Sequence, residues 1–183
     1  MKPTVSLCIC TMNRPGDLDA CLASVAALPA PPSQVLVSDD SRDAAMLEAN
    51  RSVVAKYPWA TYLKGPSLGL SANRNHCLDR VTGDLVVFVD DDVVMHADFL
   101  EKGPDLFQEL AGSVNGGDLI LTGHEILPWG NGYPSRLTFL GFYDGAEPPR
   151  DAPEAIFINA TLFPRELFSR ARLPNWVMYC SAT

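Results

Sequence analysis

Leu85-Val86-Val87-Phe88-Val89-Asp90-Asp91-Asp92 is the stretch that decides the architecture. Five consecutive apolar residues, three of them valine, read as a strand covered on both faces, the pattern of a parallel sheet. Three carboxylates follow at once. Ligands gather at the carboxyl ends of strands in open α/β sheets, so the acidic triplet falls on the functional edge.

Working outward from it, strands and helices alternate. Thr4 to Cys10, Gln34 to Ser38 and Trp59 to Leu63 read as strands, each apolar or β-branched and each followed by a Gly, Pro or Asp-rich break. Leu18, Cys21, Leu22, Val25 and Leu28 recur at helical spacing, with Asp17 as a candidate cap and Pro29 as a stop. Further helices are expected over Ala44 to Lys56, Ser71 to Val81, which Gly83 would end, and Ala97 to Leu110. This order predicts an α/β fold of right-handed βαβ units, with a mostly parallel central sheet flanked by helices. Beyond Gly112 the pattern loosens, leaving strands near Leu119 to Thr122 and Ile156 to Asn159 and a helix near Arg165 to Arg172.

A chain of 183 residues suits one domain with a single core. Its 47% hydrophobic and 20% charged residues are those of an ordinary globular protein. The net charge of -8 argues against nucleic acid or an anionic membrane as partner, since both are held by Lys and Arg. Any phosphate it binds needs local compensation. No stretch reaches the roughly 20 apolar residues of a transmembrane segment, and no secretory signal is visible. The expected place is the cytoplasm, with at most peripheral membrane attachment. The five cysteines are an odd number, and Cys8-x-Cys10, Cys21 and Cys77 lack paired zinc-ligand spacing, so free thiols are expected.

Three adjacent carboxylates repel one another unless a cation relieves them. Mg²⁺ or Mn²⁺ at Asp90 to Asp92 would do so while keeping positions for substrate phosphate; a solvated acidic turn is the plainer alternative. A phosphatase-like role for Asp90-x-Asp92 is weakened by Lys102 being the only later lysine. Asp39-Asp40, at the end of the second strand, suits a ribose or base contact as well as a helix cap. Thr11-Met12-Asn13-Arg14-Pro15-Gly16 lacks the Gly-x-Gly-x-x-Gly of a dinucleotide site, so a diphosphate would be met elsewhere. His76, His96 and His124 are expected at helix starts or on surfaces, with His96 a minor alternative as a metal ligand, whereas Trp129 and Tyr133 suit either sugar stacking or the core.

Four stretches in order and spacing resemble family 2 glycosyltransferases: Val5 to Pro15, Val35 to Ser41, Gly69 to Asn75 and Val87 to Asp92. They span residues 4 to 101, and Ala160 to Phe168 is similar to the family's stretch before the acceptor segment. The resemblance implies a GT-A (Rossmann-like) fold, with residues 1–101 as nucleotide-sugar-binding half and 102–183 as partial acceptor-side half. It implies an inverting transferase using a UDP-, dTDP- or GDP-linked sugar and a saccharide or lipid-linked acceptor. Thr11, Asn13, Arg14, Asp39, Asp40, Arg74, Asn75, Asp90 and Asp91 would contact the nucleotide sugar. Asp92, with Asp90, would hold the metal as the family's DxD element. The family's general base follows the stretch matched by Phe163 to Leu167, yet no Asp or Glu follows Glu166 here. The chain is therefore expected to stop short of that segment, leaving Asp144 and Glu147, then Asp151 and Glu154, as substitutes. A non-catalytic nucleotide-sugar-binding fragment is the alternative.

Overall fold

The computed structural model describes residues 1–113, 119–123, 125–127, 130–132 and 158–174. Strand β1 (Val5–Thr11) leads to helix α1 (Pro15–Ala26), β2 (Gln34–Asp39), α2 (Ala44–Val54), β3 (Ala60–Lys64), α3 (Leu70–Leu78), β4 (Leu85–Asp90) and α4 (Ala97–Ala111). There follow β5 (Leu121–Thr122), a small hairpin of β6 (Glu125–Leu127) and β7 (Gly130–Gly132), β8 (Thr161–Pro164) and the single-turn helix α5 (Leu167–Arg170). The main sheet runs β3-β2-β1-β4-β8-β5. The first four strands are mutually parallel, and β8 and β5 each pair antiparallel.

Alternation along the strands divides the core into two layers. Leu7 and Ile9 of β1 and Val87 and Val89 of β4 pack with Leu18 and Leu22 of α1 and with Leu100 and Phe107 of α4. Their neighbours Cys8, Val86 and Phe88 face the other way, onto Cys77 and Leu78 of α3 and Phe163 and Phe168. Phe88, Phe163 and Phe168 meet edge-on or tilted at 5.6–6.0 Å. All six residues of Leu85–Asp90 except Asp90 are buried, as their unbroken hydrophobicity requires.

Several expected boundaries shift for identifiable reasons. Helix α1 starts at Pro15, whose fixed φ suits a first turn; Asp17 sits inside that turn rather than capping it. Helix α2 is capped by neither Asp39 nor Asp40. Asp43 accepts from the backbone N–H groups of Ala45 and Met46 at 2.9 and 3.0 Å. Helix α3 ends at Leu78, before Gly83, which serves a different need. A Cβ at Gly83 would meet the Ser6 backbone nitrogen at 2.6 Å, so only glycine lets this turn approach β1.

The later strand lies at Thr161–Pro164 rather than Ile156 to Asn159, because Val86 pairs with Phe163 and Leu85 with Pro164. Ile158–Ala160 forms a 3₁₀ turn just before it. Helix α5 is only one turn long. Arg165 ties its start to the sheet by donating to the carbonyls of Asp84 and Thr82, and Asn75 holds Leu173 beyond its end. Residues 156 and 157 lie outside the described ones.

Asp43→Ala leaves two first-turn N–H groups of α2 without their acceptor and is expected to cost about 1 kcal/mol. Chemical denaturation, read as a lower midpoint at unchanged slope, checks this.

Candidate active site

The sheet order places the site. From β1 the chain winds outward through β2 and β3, then returns to put β4 on the opposite side of β1. The crevice between β1 and β4 is thus the topological switch point, where the connecting segments diverge and leave room for a ligand. Thr11 and Asp90 end those two strands, with Cys10 paired to Asp90.

Asp90 lies on the α3 side of the sheet. Its Oδ1 accepts from Arg74 Nη2 at 2.8 Å and its Oδ2 from Asn159 Nδ2 at 3.3 Å. Asp91 turns toward α1, where it is buried and accepts from the Thr11 hydroxyl at 2.7 Å. Asp92 is exposed. Arg14 Nη1 donates to it at 3.0 Å and reaches Asp91 at 3.4 Å. Arg14 stands at the N-cap of α1 but, having only donors, cannot cap its amides, and its guanidinium pairs with these carboxylates.

Burial is the main cause that holds the Asp91 carboxyl above the ordinary aspartate range; the Thr11 hydrogen bond and the Arg14 charge offset it only in part. Arg14 in turn is held more firmly protonated, first by Asp91 and then by Asp92. The Arg14–Asp92 pair is half-exposed and screened by solvent, so a ligand opens it at little cost.

A second wall is built by β2 and the β3–α3 loop. Asp40 accepts from the backbone of Ser67 at 2.7 Å and Gly69 at 3.1 Å, so it shapes the start of α3 rather than of α2. Asp39 is fully buried, receiving Tyr62 Oη at 3.0 Å and the Ser41 N–H at 2.9 Å. It braces the loop from within. Gly65 passes so close that a Cβ there would meet Asp40 Oδ1 at 2.6 Å and the Asp39 carbonyl at 2.9 Å. Asn13 adopts a left-handed conformation with φ 61°, and its N–H donates to Ser41 at 2.8 Å, joining the β1 loop to this wall. Asn75 points elsewhere, exchanging hydrogen bonds with the Leu173 backbone.

Thr11, Asn13, Arg14, Asp40, Arg74, Asp90, Asp91 and Asp92 are therefore gathered along one edge of the sheet, with Asp39 beneath and Asn75 beside them. Asp144, Glu147, Asp151, Glu154, His124, Trp129 and Tyr133 lie outside the described residues. His96 caps α4, accepting from the Asp98 N–H. His76 Nδ1 meets the Ser38 hydroxyl at 2.9 Å. Because that hydroxyl donates to Asn73 Oδ1, the imidazole is the donor. Lys102, which a phosphatase-like site would need beside Asp90, pairs with Asp98 on α4. Cys8, Cys10, Cys21 and Cys77 are buried free thiols. Burial, then the charge of Asp91, pushes the Cys21 thiol up to about 12.

Asn159 is the residue that sequence reasoning missed. It stood at the end of an expected strand, and only its side-chain hydrogen bonds to Asp90 reveal it.

Residues 6–167 match the profile of glycosyl transferase family 2. The chain belongs to that family. Succinoglycan biosynthesis protein ExoM of Rhizobium meliloti (strain 1021) is 30% identical over 102 residues, which are 54% of this chain and 33% of that protein. Among solved structures, mannosyltransferase PcManGT from Pyrobaculum calidifontis, in complex with GDP-Man and Mn²⁺, aligns with 96% of this chain and 48% of its own, at 17% identity and TM-score 0.65. S. aureus TarS 1-349 in complex with UDP-GlcNAc aligns with 91% of this chain and 47% of its own, at 20% identity and TM-score 0.58. The fold shared with them is GT-A. This chain spans a third of the curated relative and about half of these solved chains. No helix of the described residues is long and apolar enough to cross a membrane.

The raised Asp91 carboxyl carries a pH signature. A folded-state pKa above the unfolded one means that the folded chain binds the proton more tightly. The associated stability is full below the unfolded pKa and is lost as pH rises through the folded value. Asp91→Asn keeps an acceptor for Thr11 and carries no charge. It is expected to gain melting temperature relative to the parent between about pH 4 and pH 7. Thermal unfolding across that range checks it, and a pH-independent difference would contradict it.

Proposed function

We propose that this family 2 chain binds a nucleoside-diphosphate sugar across the carboxyl ends of β1 and β4. Within the whole protein its sugar passes, with inversion, to a saccharide or lipid-linked acceptor hydroxyl. The observation that carries this proposal is the cluster of Asp90, Asp91 and Asp92 at the β1–β4 switch point, flanked by Arg14 and Arg74.

The donor set fits a hard divalent cation. Asp90 and Asp92 present carboxylate oxygens at the crevice. Asp92 is exposed and held by a single weak ion pair, so it is the readier ligand. Among the described residues no group of three or more His, Cys, Asp or Glu forms a closed metal cage. Mg²⁺ and Mn²⁺ commonly need only one or two carboxylates, the rest of their shell being water and substrate phosphate. When bound there, the ion supplies charge stabilisation for the departing diphosphate. The two complexes named above, one with GDP-Man and Mn²⁺ and one with UDP-GlcNAc, support this assignment for a chain of the same fold.

The protein's own residues do the rest. The Thr11 to Arg14 loop and the Asp40 wall define a slot for base and ribose. Arg14, released from Asp92 at small cost, is free to turn to phosphate. Arg74 has a buried Nε with no hydrogen-bond partner among the described residues, a donor whose cost of about 1–3 kcal/mol a ligand oxygen would remove. These two guanidiniums supply the local positive charge that a chain of net charge -8 must find for a diphosphate. Positioning of the acceptor and removal of its proton fall to residues 102–183, the second half. Asp144 and Glu147 are its candidate bases.

UDP, GDP or dTDP is expected to bind at least about tenfold more tightly with Mn²⁺ than with chelator, and Asp92→Asn should remove that gain. Titration calorimetry decides it; equal affinity in both conditions for all three nucleotides would overturn the metal assignment.

A further inference from the structure

We infer that Asn159 is a positioning residue for the donor site, holding the Asp90 carboxylate in the one orientation in which it faces the crevice. The inference rests on the donor-site reading above and adds to it a residue from the second half of the chain.

Asn159 grips Asp90 twice. Its Oδ1 accepts from the Asp90 backbone N–H at 3.0 Å, and its Nδ2 donates to Asp90 Oδ2 at 3.3 Å. The first bond alone would satisfy the last amide of β4, as any strand end requires. The second goes further, because it fixes the side chain. With Arg74 on Oδ1, both Asp90 oxygens are tied to rigid neighbours, one on α3 and one beside β8. Each oxygen keeps a second lone pair for a ligand. Asp92, by contrast, is held among the described residues by the half-exposed Arg14.

The grip follows from where β8 begins. β8 runs antiparallel to β4 with Leu85 opposite Pro164 and Val86 opposite Phe163, and the 3₁₀ turn Ile158–Ala160 that leads into it brings Asn159 to the end of β4, where its side chain meets Asp90. Three contacts hold β8 in that register. Leu162 is fully buried in one core layer, Phe163 packs on Phe88 in the other, and the Thr161 hydroxyl meets that of Thr122 on β5 at 3.0 Å. A side chain set by two packed layers loses little further entropy when ligand arrives, which is the gain from preorganisation.

The test uses the full chain, with Mn²⁺ and whichever of UDP, GDP and dTDP the parent binds best. It is run at a temperature where circular dichroism shows each variant folded. Asn159→Ala is expected to weaken binding about tenfold, whereas Thr4→Ala, which removes hydroxyl bonds to Asp84 at the opposite, amino-terminal edge of the sheet, leaves it unchanged. In an Asp90→Ala background, titrated into the millimolar range, replacing Asn159 should change affinity less than about twofold. Asn159→Ser, whose hydroxyl can still accept from the Asp90 amide, gives the same comparison if the alanine variant does not fold. Unchanged affinity in the Asn159 variants, or an equal loss with and without Asp90, overturns the inference alone. Absence of Mn²⁺-dependent binding by the parent overturns the donor-site reading and the inference with it.

Discussion

Mutual repulsion among Asp90, Asp91 and Asp92 is the constraint around which the site is organised. Each carboxylate is relieved differently. Asp90 is paired with a largely buried arginine and an asparagine, and Asp91 is buried on a threonine hydroxyl with its carboxyl raised. Asp92 stands in solvent with a loosely held arginine. Three identical side chains thus become a fixed anchor, a buried strut and an exposed, loosely paired carboxylate. The differences arise from strand alternation and from which helix each side chain meets, since the residues themselves are chemically the same.

Neutralisation also explains why the β1 and β3–α3 loops are built as they are. Arg14, which as a donor-only side chain cannot cap α1, reaches the carboxylates instead, and Pro15 removes one unsatisfied N–H from the helix start. On the opposite wall Asp40 spends both oxygens on loop amides, and Gly65 is the residue that permits this approach. The loops at the carboxyl edge are therefore cross-linked by hydrogen bonds before any ligand enters. That arrangement suits a nucleotide, whose base, ribose and diphosphate must be held along an extended line.

The two halves of the chain share one sheet. β8 and β5 extend the sheet that β1 to β4 begin, and Asn159 reaches Asp90 at its carboxyl edge from residues far along the chain. Strand β8 connects the halves mechanically as well as chemically. Its packing against Phe88 and Leu85 sets the position of a contact to the first aspartate of the triplet.

The sequence by itself determined the α/β class, the four parallel strands and the acidic edge. Unbroken apolar runs such as Leu85 to Val89 and the helical spacing of Leu18, Leu22 and Val25 are local signals that need no partner to be read. It also named most of the residues now found around the crevice, because their order along the chain matches a known family. Tertiary structure alone decided what those residues touch. That Asp43 rather than Asp39 or Asp40 caps α2 depends on where the chain turns. That Asn75 holds Leu173 and Asn159 holds Asp90 depends on pairings across 98 and 69 positions. Such contacts leave no periodic trace in sequence, because strand register and helix docking are set by the summed packing of two core layers and not by the residues that meet.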